Sequence, residues 1–145
     1  MTNMAKKNEG LNKSNPKMKH ILLILDDICS SFNTHSSKTL EKLFTTGRHY
    51  GISVIVVQQY INSIPPIVRN NCDYICVSQM NKQGVDLITE QYLFGNIDAK
   101  GLKDLYLKNT SDYGFLIINS KCAESNDNLN EVYGRIRVPD NFIKK

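Results

Sequence analysis

The chain has 145 residues, and its composition limits the kinds of protein it can form. A hydrophobic content of 41% suits the core of one globular domain, and no apolar run in the sequence is long enough to cross a bilayer. The formal net charge is +4. Five lysines and one glutamate within residues 1–20 account for all of it, so the remaining sequence is neutral. Composition therefore argues against a membrane protein and places the basicity at the N-terminal end.

Residues 1–19 are predicted to be a basic, disordered leader, because they are rich in asparagine and lysine and poor in apolar residues. They lack the apolar segment of a secretion signal, and they contain no arginine of the kind that transit peptides carry. We expect a solvated leader, with contact to nucleic-acid phosphates as the alternative. Residues 20–145 are expected to form the folded part of the chain.

The segment 21–25 consists of five aliphatic residues, and Asp26 and Asp27 follow it. Such an uninterrupted run predicts a strand that is buried on both faces of a parallel sheet. The two carboxylates then lie at the carboxyl end of that strand, where open α/β sheets bind ligands. An acid pair there is typical of a Walker B motif, in which one acid serves Mg²⁺ and its neighbour orients the attacking water. The alternative is that an aspartate caps the element that follows.

A helix and a second strand are predicted next. Residues 36–44 carry a serine as N-cap candidate and then apolar side chains at the spacing of one helix face. Gly51 is predicted to end the helix, and the apolar run 52–57 leads into Gln58 and Gln59. Strand, helix and strand form a right-handed parallel βαβ unit, so the acids and the glutamines should end at one edge of the sheet.

Four segments of the sequence stand out: Asp26–Asp27, Gly47–Ser53, Gln59–Tyr60 and Pro65–Ile75. Taken together, these segments resemble the DNA-packaging ATPases of large DNA viruses, of the poxvirus type within the FtsK–HerA group of P-loop motors. Their combined spacing is far more specific than any single motif, and the resemblance covers roughly residues 19–138. It implies an α/β fold of the P-loop NTPase type, with three layers and a mainly parallel sheet.

The resemblance also implies roles for individual residues. Asp26 would be the acid on the Mg²⁺ side, Asp27 the catalytic carboxylate, and Gln59 the polar residue that senses the γ-phosphate. Arg69, or alternatively Arg48, would be an arginine finger that reaches the nucleotide of a neighbouring subunit. The implied ligands are ATP and Mg²⁺. Asp27 differs from the glutamate that is commoner in the broader class, although an aspartate pair resembles the viral branch.

The phosphate-binding loop of that family does not occur in these 145 residues. No G-x-x-x-x-G-K-S/T string is found, and the only glycine before the acid pair is Gly10. We therefore predict that residues 20–145 are the C-terminal half of the ATPase domain, without its phosphate-loop strand. The chain would be a fragment, one product of a split gene or a degenerate paralogue. Without that loop, we expect it not to hydrolyse ATP at a meaningful rate.

The implied function is part of a viral genome-packaging ATPase motor that couples ATP hydrolysis to translocation of double-stranded DNA into the capsid. Its implied partners are double-stranded DNA, like subunits in a ring, the viral capsid and a separate P-loop half, with no membrane partner. The implied location is the virus factory in the host cytoplasm or the virion. A non-hydrolysing scaffold subunit of such a motor is the alternative. A receiver-like signalling domain is disfavoured, since no later apolar run ends in the aspartate that such a domain phosphorylates.

The rest of the chain predicts further α/β elements. A helical turn over residues 67–71, after Pro65 and Pro66, is expected to present Arg69. Helices are predicted over residues 83–94, ending at Gly95, and over 102–107. Strands are predicted over residues 74–78, 113–118 and 132–138, with the last at a sheet edge and an exposed loop over 122–130.

The four cysteines include no CxxC pair, so we expect buried free thiols and not a disulfide framework or a zinc site. The three histidines are scattered along the sequence. His49 follows Arg48, and a positive side chain there suits the C-terminal end of a helix.

Overall fold

The computed structural model describes residues 19–28, 34–94, 97–122 and 128–143, with the side chains of residues 34–36 and 143 left aside. The chain divides into two compact units, Met1–Asn71 and Cys72–Lys145. The predicted leader lies outside the described residues except at Lys19, and its disorder stays a prediction. No helix in the described ranges is both long and apolar enough to cross a membrane.

The first unit contains the predicted βαβ arrangement. Its elements are strand β1 (Ile21–Asp26), helix α1 (Thr34–Thr46), a 3₁₀ helix (Gly47–Tyr50), strand β2 (Ile52–Val57), a 3₁₀ helix (Ile61–Ser63) and helix α2 (Pro66–Asn70). Strands β1 and β2 pair in parallel, from Ile21 opposite Ile52 to Asp26 opposite Val57. The strands and their direction are therefore confirmed.

The ends of α1 follow local sequence chemistry only in part. Gly51 has a φ of 68° and its N–H bonds the carbonyls of Arg48 and Gly47, so it ends the helical segment as predicted. The start is different. Helix α1 begins at Thr34, which places Ser36 inside the helix and not at its N-cap.

One face of the β1–β2 pair is open. Leu22 and Ile24 are 59% and 60% exposed, and Ile55 and Val57 beside them are 47% and 50% exposed. We call these four side chains the open face. The prediction that β1 is buried on both faces is wrong for the described residues. Helix α1 contacts β2, and side chains alternate along a strand, so cover on one side leaves every second residue exposed.

The second unit is an antiparallel sheet with helices. Its elements are β3 (Tyr74–Val77), α3 (Lys82–Gln91), α4 (Ala99–Thr110), β4 (Gly114–Asn119), α5 (Leu129–Val132), β5 (Tyr133–Arg137) and α6 (Asp140–Ile143). Strand β4 lies between β3 and β5 and is antiparallel to both. The α/β class is confirmed, but a mainly parallel arrangement holds only for β1 and β2.

Several element boundaries in this unit differ from prediction. Helix α3 ends at Gln91, and the expected stop at Gly95 lies outside the described residues. Helix α4 is longer than expected, because Asp98 accepts a hydrogen bond from Gly101 N and caps it. The expected loop 122–130 is partly replaced by α5, which Asn128 caps.

Two tyrosines bind backbone groups inside the second unit. Tyr106 Oη accepts from Met80 N at 2.7 Å and donates to Ser78 O at 3.2 Å. Tyr133 Oη donates to Tyr92 O at 2.8 Å and accepts from Phe94 N. These hydroxyls bind backbone groups just after β3 and α3, so side chains fix the ends of both elements.

Candidate functional site at the carboxyl ends of β1 and β2

The acid pair and the glutamine pair end on neighbouring strands, as the βαβ prediction requires. Asp26 is the last residue of β1 and lies opposite Val57, the last residue of β2. The ladder continues one step further, because Asp27 N donates to Val57 O at 3.0 Å. Asp27 and Gln58 therefore leave the two strands from adjacent positions.

The backbone turns sharply at Asp27, which has a φ of 46°. Aspartate tolerates this left-handed conformation better than most residues, but it still costs on the order of 1 kcal/mol. Asp26 and Asp27 are both exposed. Two carboxylates thus stand in solvent at a strand end, where they are free to accept hydrogen bonds from water or a hydrated cation.

The two glutamines differ in their surroundings. Gln59 is exposed, whereas Gln58 is half-buried and its Nε2 is buried without a hydrogen-bond partner among the described residues. A buried amide donor of this kind costs free energy until it finds an acceptor. The sequence analysis did not distinguish the two glutamines. The alternation of side chains along β2 was the available signal, because Val56 is half-buried and Val57 is exposed, and Gln58 and Gln59 continue that order.

Arg69 is not presented to solvent as predicted. The helical turn after the two prolines does form, as α2, but Arg69 is 8% exposed and its Nη1 donates to Ile61 O at 3.2 Å and to Ile64 O at 3.1 Å. Arg48 is exposed in the 3₁₀ helix that follows α1. A finger role for either arginine stays a prediction.

The three described cysteines all belong to the second unit. Cys72 and Cys122 are half-buried and Cys76 is exposed, so the expectation of burial fails for Cys76. Burial and the neighbouring Asp73 raise the pKa of Cys72 to about 11. Arg135 and Arg137 bind the turn before β4.

The family model for "Poxvirus A32 protein" matches residues 1–125 of this sequence. The chain belongs to this family. The A32 match confirms the resemblance to packaging ATPases of large DNA viruses, and it extends over the acid pair, both glutamines and Arg69.

Two curated relatives of this A32 family chain come from iridescent and frog viruses. Uncharacterised protein 075L of Invertebrate iridescent virus 6 is 29% identical over 114 residues, which are 77% of this chain and 44% of that protein. Uncharacterised protein 015R of Frog virus 3 is 26% identical over 65 residues, 45% of this chain and 20% of that protein. The chain thus spans less than half the length of either relative.

Solved structures show the same fold. The genome packaging NTPase B204 of Sulfolobus turreted icosahedral virus 2, in complex with ATP-gammaS, superposes with a TM-score of 0.58 at 18% identity. B204, the DNA-packaging ATPase of Sulfolobus turreted icosahedral virus, gives a TM-score of 0.58 at 17% identity. In both cases the match covers 81% of this chain and 52% of that chain. The A32 family chain therefore has the fold of about half of a packaging NTPase.

Proposed function

We propose that this chain supplies the Walker B part of a viral genome-packaging ATPase, which couples ATP hydrolysis to translocation of double-stranded DNA into the capsid. The acid pair at the end of β1, hydrogen-bonded to the end of β2 through Asp27 N and Val57 O, carries the proposal. Membership of the A32 family and the fold shared with B204 support it. The match covers 44% of protein 075L and 52% of the B204 chain, which supports the proposal that the motor activity belongs to a larger assembly of which these residues are one part.

Asp27 is proposed to orient the water that attacks the γ-phosphate. Its carboxylate is exposed and accepts hydrogen bonds only, so an ionised Asp27 can hold a water by one of its protons and direct the oxygen lone pair away. The left-handed backbone at this residue fixes the direction in which the chain leaves β1. Strained conformations of this kind are concentrated at functional sites, which supports the same assignment.

Asp26 is proposed to hold Mg²⁺ through its water shell. Mg²⁺ at nucleotide sites uses one or two carboxylates together with waters and phosphate oxygens, and the two adjacent acids fit that set. The described residues contain no group of three or more His, Cys, Asp or Glu side chains that could form a protein-only metal cage. When bound, the ion would neutralise charge that develops on the phosphates.

Gln59 is proposed to sense the γ-phosphate, because it is exposed and follows the strand that pairs with β1. Its neighbour Gln58 provides a buried amide donor that has no acceptor within the described part of the chain. We propose that both amides face the same polar edge and that Gln59 reports hydrolysis to the elements that grip DNA. For the trans-acting arginine, exposure favours Arg48 over Arg69.

The proposed partners are double-stranded DNA, like subunits in a ring, the capsid, and a polypeptide or segment that carries the phosphate-binding loop. The open face supports the last of these, because parallel strands in α/β proteins are covered on both faces. The proposed location is the virus factory in the host cytoplasm or the virion.

Substitutions at Asp27 test the proposal. Asp27→Asn keeps a residue that tolerates the left-handed backbone and removes the charge, whereas Asp27→Ala changes both. We expect this chain alone to show no meaningful ATP hydrolysis, and activity to appear when a polypeptide with the phosphate loop is supplied. In that complex Asp27→Asn should lower kcat by at least about 100-fold and change nucleotide affinity by less than about threefold.

Three outcomes would contradict parts of this scheme. Robust hydrolysis by the purified chain, lost in Asp27→Asn, would show that no separate phosphate loop is needed. Equal losses in affinity and turnover would make Asp27 the metal-side acid and reverse the pair. An active complex that Asp27→Asn leaves unchanged would make the chain a non-hydrolysing scaffold.

A further inference from the structure

Arg69 is a buried cation whose hydrogen bonds go to backbone groups of its own unit. The residue is 8% exposed, and its Nη1 lies 3.2 Å from Ile61 O and 3.1 Å from Ile64 O. The ion pairs between described residues all involve other side chains. Its Nε is buried without a hydrogen-bond partner in the described ranges. The positive charge of Arg69 is therefore compensated by the dipoles of these two backbone carbonyls.

The segment that accepts these bonds is short of backbone donors. Pro65 and Pro66 have no N–H, and in the 3₁₀ helix before them Ser63 N bonds Tyr60 O and Ile64 N bonds Ile61 O. Pro65 O accepts from Val68 N and Arg69 N at the start of α2. The guanidinium therefore connects the helix to the carbonyls on the far side of the prolines.

A second anchor lies at the other end of the same segment, where Asp27 N donates to Val57 O. Gln58, Gln59 and Tyr60 lie between this anchor and the first carbonyl that Arg69 binds, Ile61 O. Both ends of the glutamine segment are therefore held, one by the ladder with β1 and one by Arg69.

We propose that Arg69 is a positioning residue that acts within its own subunit and holds the segment carrying Gln59. The importance of Gln59 rests on the proposed function, whereas the hydrogen-bonded clamp does not. An arginine finger must leave its own subunit to reach a neighbour's nucleotide. For Arg69 that movement would break both carbonyl contacts and release the segment that it holds.

The unmodified 145-residue chain offers a direct test by ¹⁵N NMR of arginine side chains. A hydrogen-bonded guanidinium rotates slowly and gives two resolved Nη signals, whereas a free one gives a single averaged signal. We expect two signals for Arg69 and one for Arg48, the exposed control. A single averaged signal for Arg69 would overturn the proposal.

Variants at Arg69 then show what the clamp holds. Arg69→Met keeps the aliphatic volume and removes the donors, while Arg69→Lys keeps a donor that can bridge two carbonyls. We expect the amides of Ser63 and Ile64 to exchange at least about tenfold faster in Arg69→Met, with partial recovery in Arg69→Lys. The Gln59 amide signals should shift in the first variant and move back in the second. Arg48→Met is the matched control and should change none of them.

Val85 N bonds Asn81 O in α3 and reports whether the second unit stays folded in each variant. If the amides of Ser63 and Ile64 exchange in Arg69→Met at the same rate as in the wild-type chain, the clamp is overturned. If that variant unfolds throughout, the Nη signals of Arg69 in the unmodified chain still decide whether the clamp exists. Failure of ATP hydrolysis in the assembled complex would refute the proposed function and leave these NMR results standing, so the two failures are distinguishable.

Discussion

The two compact units bury apolar residues to very different extents. Among the described side chains classed as buried and hydrophobic, Leu40 and Val68 are in the first unit and nine are in the second. The nine are Val77, Ile88, Tyr92, Leu102, Tyr106, Leu116, Ile118, Val132 and Tyr133. The first unit instead exposes four aliphatic side chains of its two strands, the open face. The unit with the better core is therefore not the unit with the acid pair.

This difference shows how stability and chemistry are divided in the chain. The second unit forms a three-stranded sheet with helices and satisfies its loops through Tyr106 and Tyr133. The first unit places polar groups at the ends of a two-stranded sheet, and such small sheets depend on cover for stability. Cover on the open face would therefore stabilise the two strands that end at the acid and glutamine pairs.

Matched leucine substitutions test the difference in burial between the two units and should have the strongest effect. Leu102 is fully buried in α4 and Leu22 is 59% exposed in β1. Leu102→Ala should lower the free energy of unfolding by about 2–5 kcal/mol, because it removes buried methyl groups and leaves a cavity. Leu22→Ala should cost less than about 1 kcal/mol. Urea denaturation followed by circular dichroism measures both, and equal losses would show that the burial contrast does not control stability.

The open face should also control self-association. A charge at Ile24 interrupts this apolar surface, so Ile24→Lys should weaken self-association of the chain by about tenfold in sedimentation velocity. Leu107→Lys is the control, because Leu107 is 64% exposed on α4 of the other unit. A separately supplied P-loop half should have the same effect as Ile24→Lys. A wild-type chain that is monomeric and unfolds cooperatively would instead favour a self-sufficient domain.

The smallest expected effect concerns two thiols near the start of the second unit. The pKa of Cys72 is raised to about 11 by burial and by Asp73, so less of it is thiolate at pH 8 than of an ordinary cysteine. Partial burial also raises the pKa of Cys76, but the Cys76 side chain is exposed overall and so is accessible to a reagent. Iodoacetamide at pH 8 should therefore modify Cys76 several-fold faster than Cys72, roughly tenfold at most, since a higher pKa also makes the thiolate more nucleophilic.

The pH dependence of Cys72 has a definite sign. Its folded pKa lies above the ordinary cysteine value of 9.0, so the folded state holds the thiol proton more tightly than the unfolded state does. Its contribution to stability is complete below pH 9 and is lost as the pH rises towards about 11. Peptide mass spectrometry follows the labelling, and a rate for Cys72 that reaches its plateau near pH 9 would contradict the raised pKa.

The sequence predicts the first unit well because its signals are local. The aliphatic run before Asp26, the apolar helix face and Gly51 each specify one element, and chirality then fixes a parallel βαβ arrangement. The position of Asp27 beside the end of β2 follows from that arrangement. No alternation distinguishes the open face from the covered one, since both are aliphatic in β1.

The antiparallel pairing of the second unit was not predictable in the same way. Apolar runs predict strands over residues 74–78 and 113–118, and the structure has them over 74–77 and 114–119, but such runs carry no information on direction. The burial of Arg69 was missed because an arginine in a turn is usually a surface residue. The signal available in the sequence was Pro65–Pro66, which removes two backbone donors and so leaves carbonyls that require a side-chain partner.

The pairing of β3 has a consequence for synthesis on the ribosome. Among the described strands, β3 pairs only with β4, from Tyr74 opposite Asn119 to Val77 opposite Leu116. Strand β4 follows β3 by roughly forty residues in the sequence. At about 5–20 residues per second, β3 emerges on the order of 2–8 s before its partner. Through that interval its peptide groups are open to other chains. Crowded polysomes would therefore be the setting in which this protein is most exposed to misassembly.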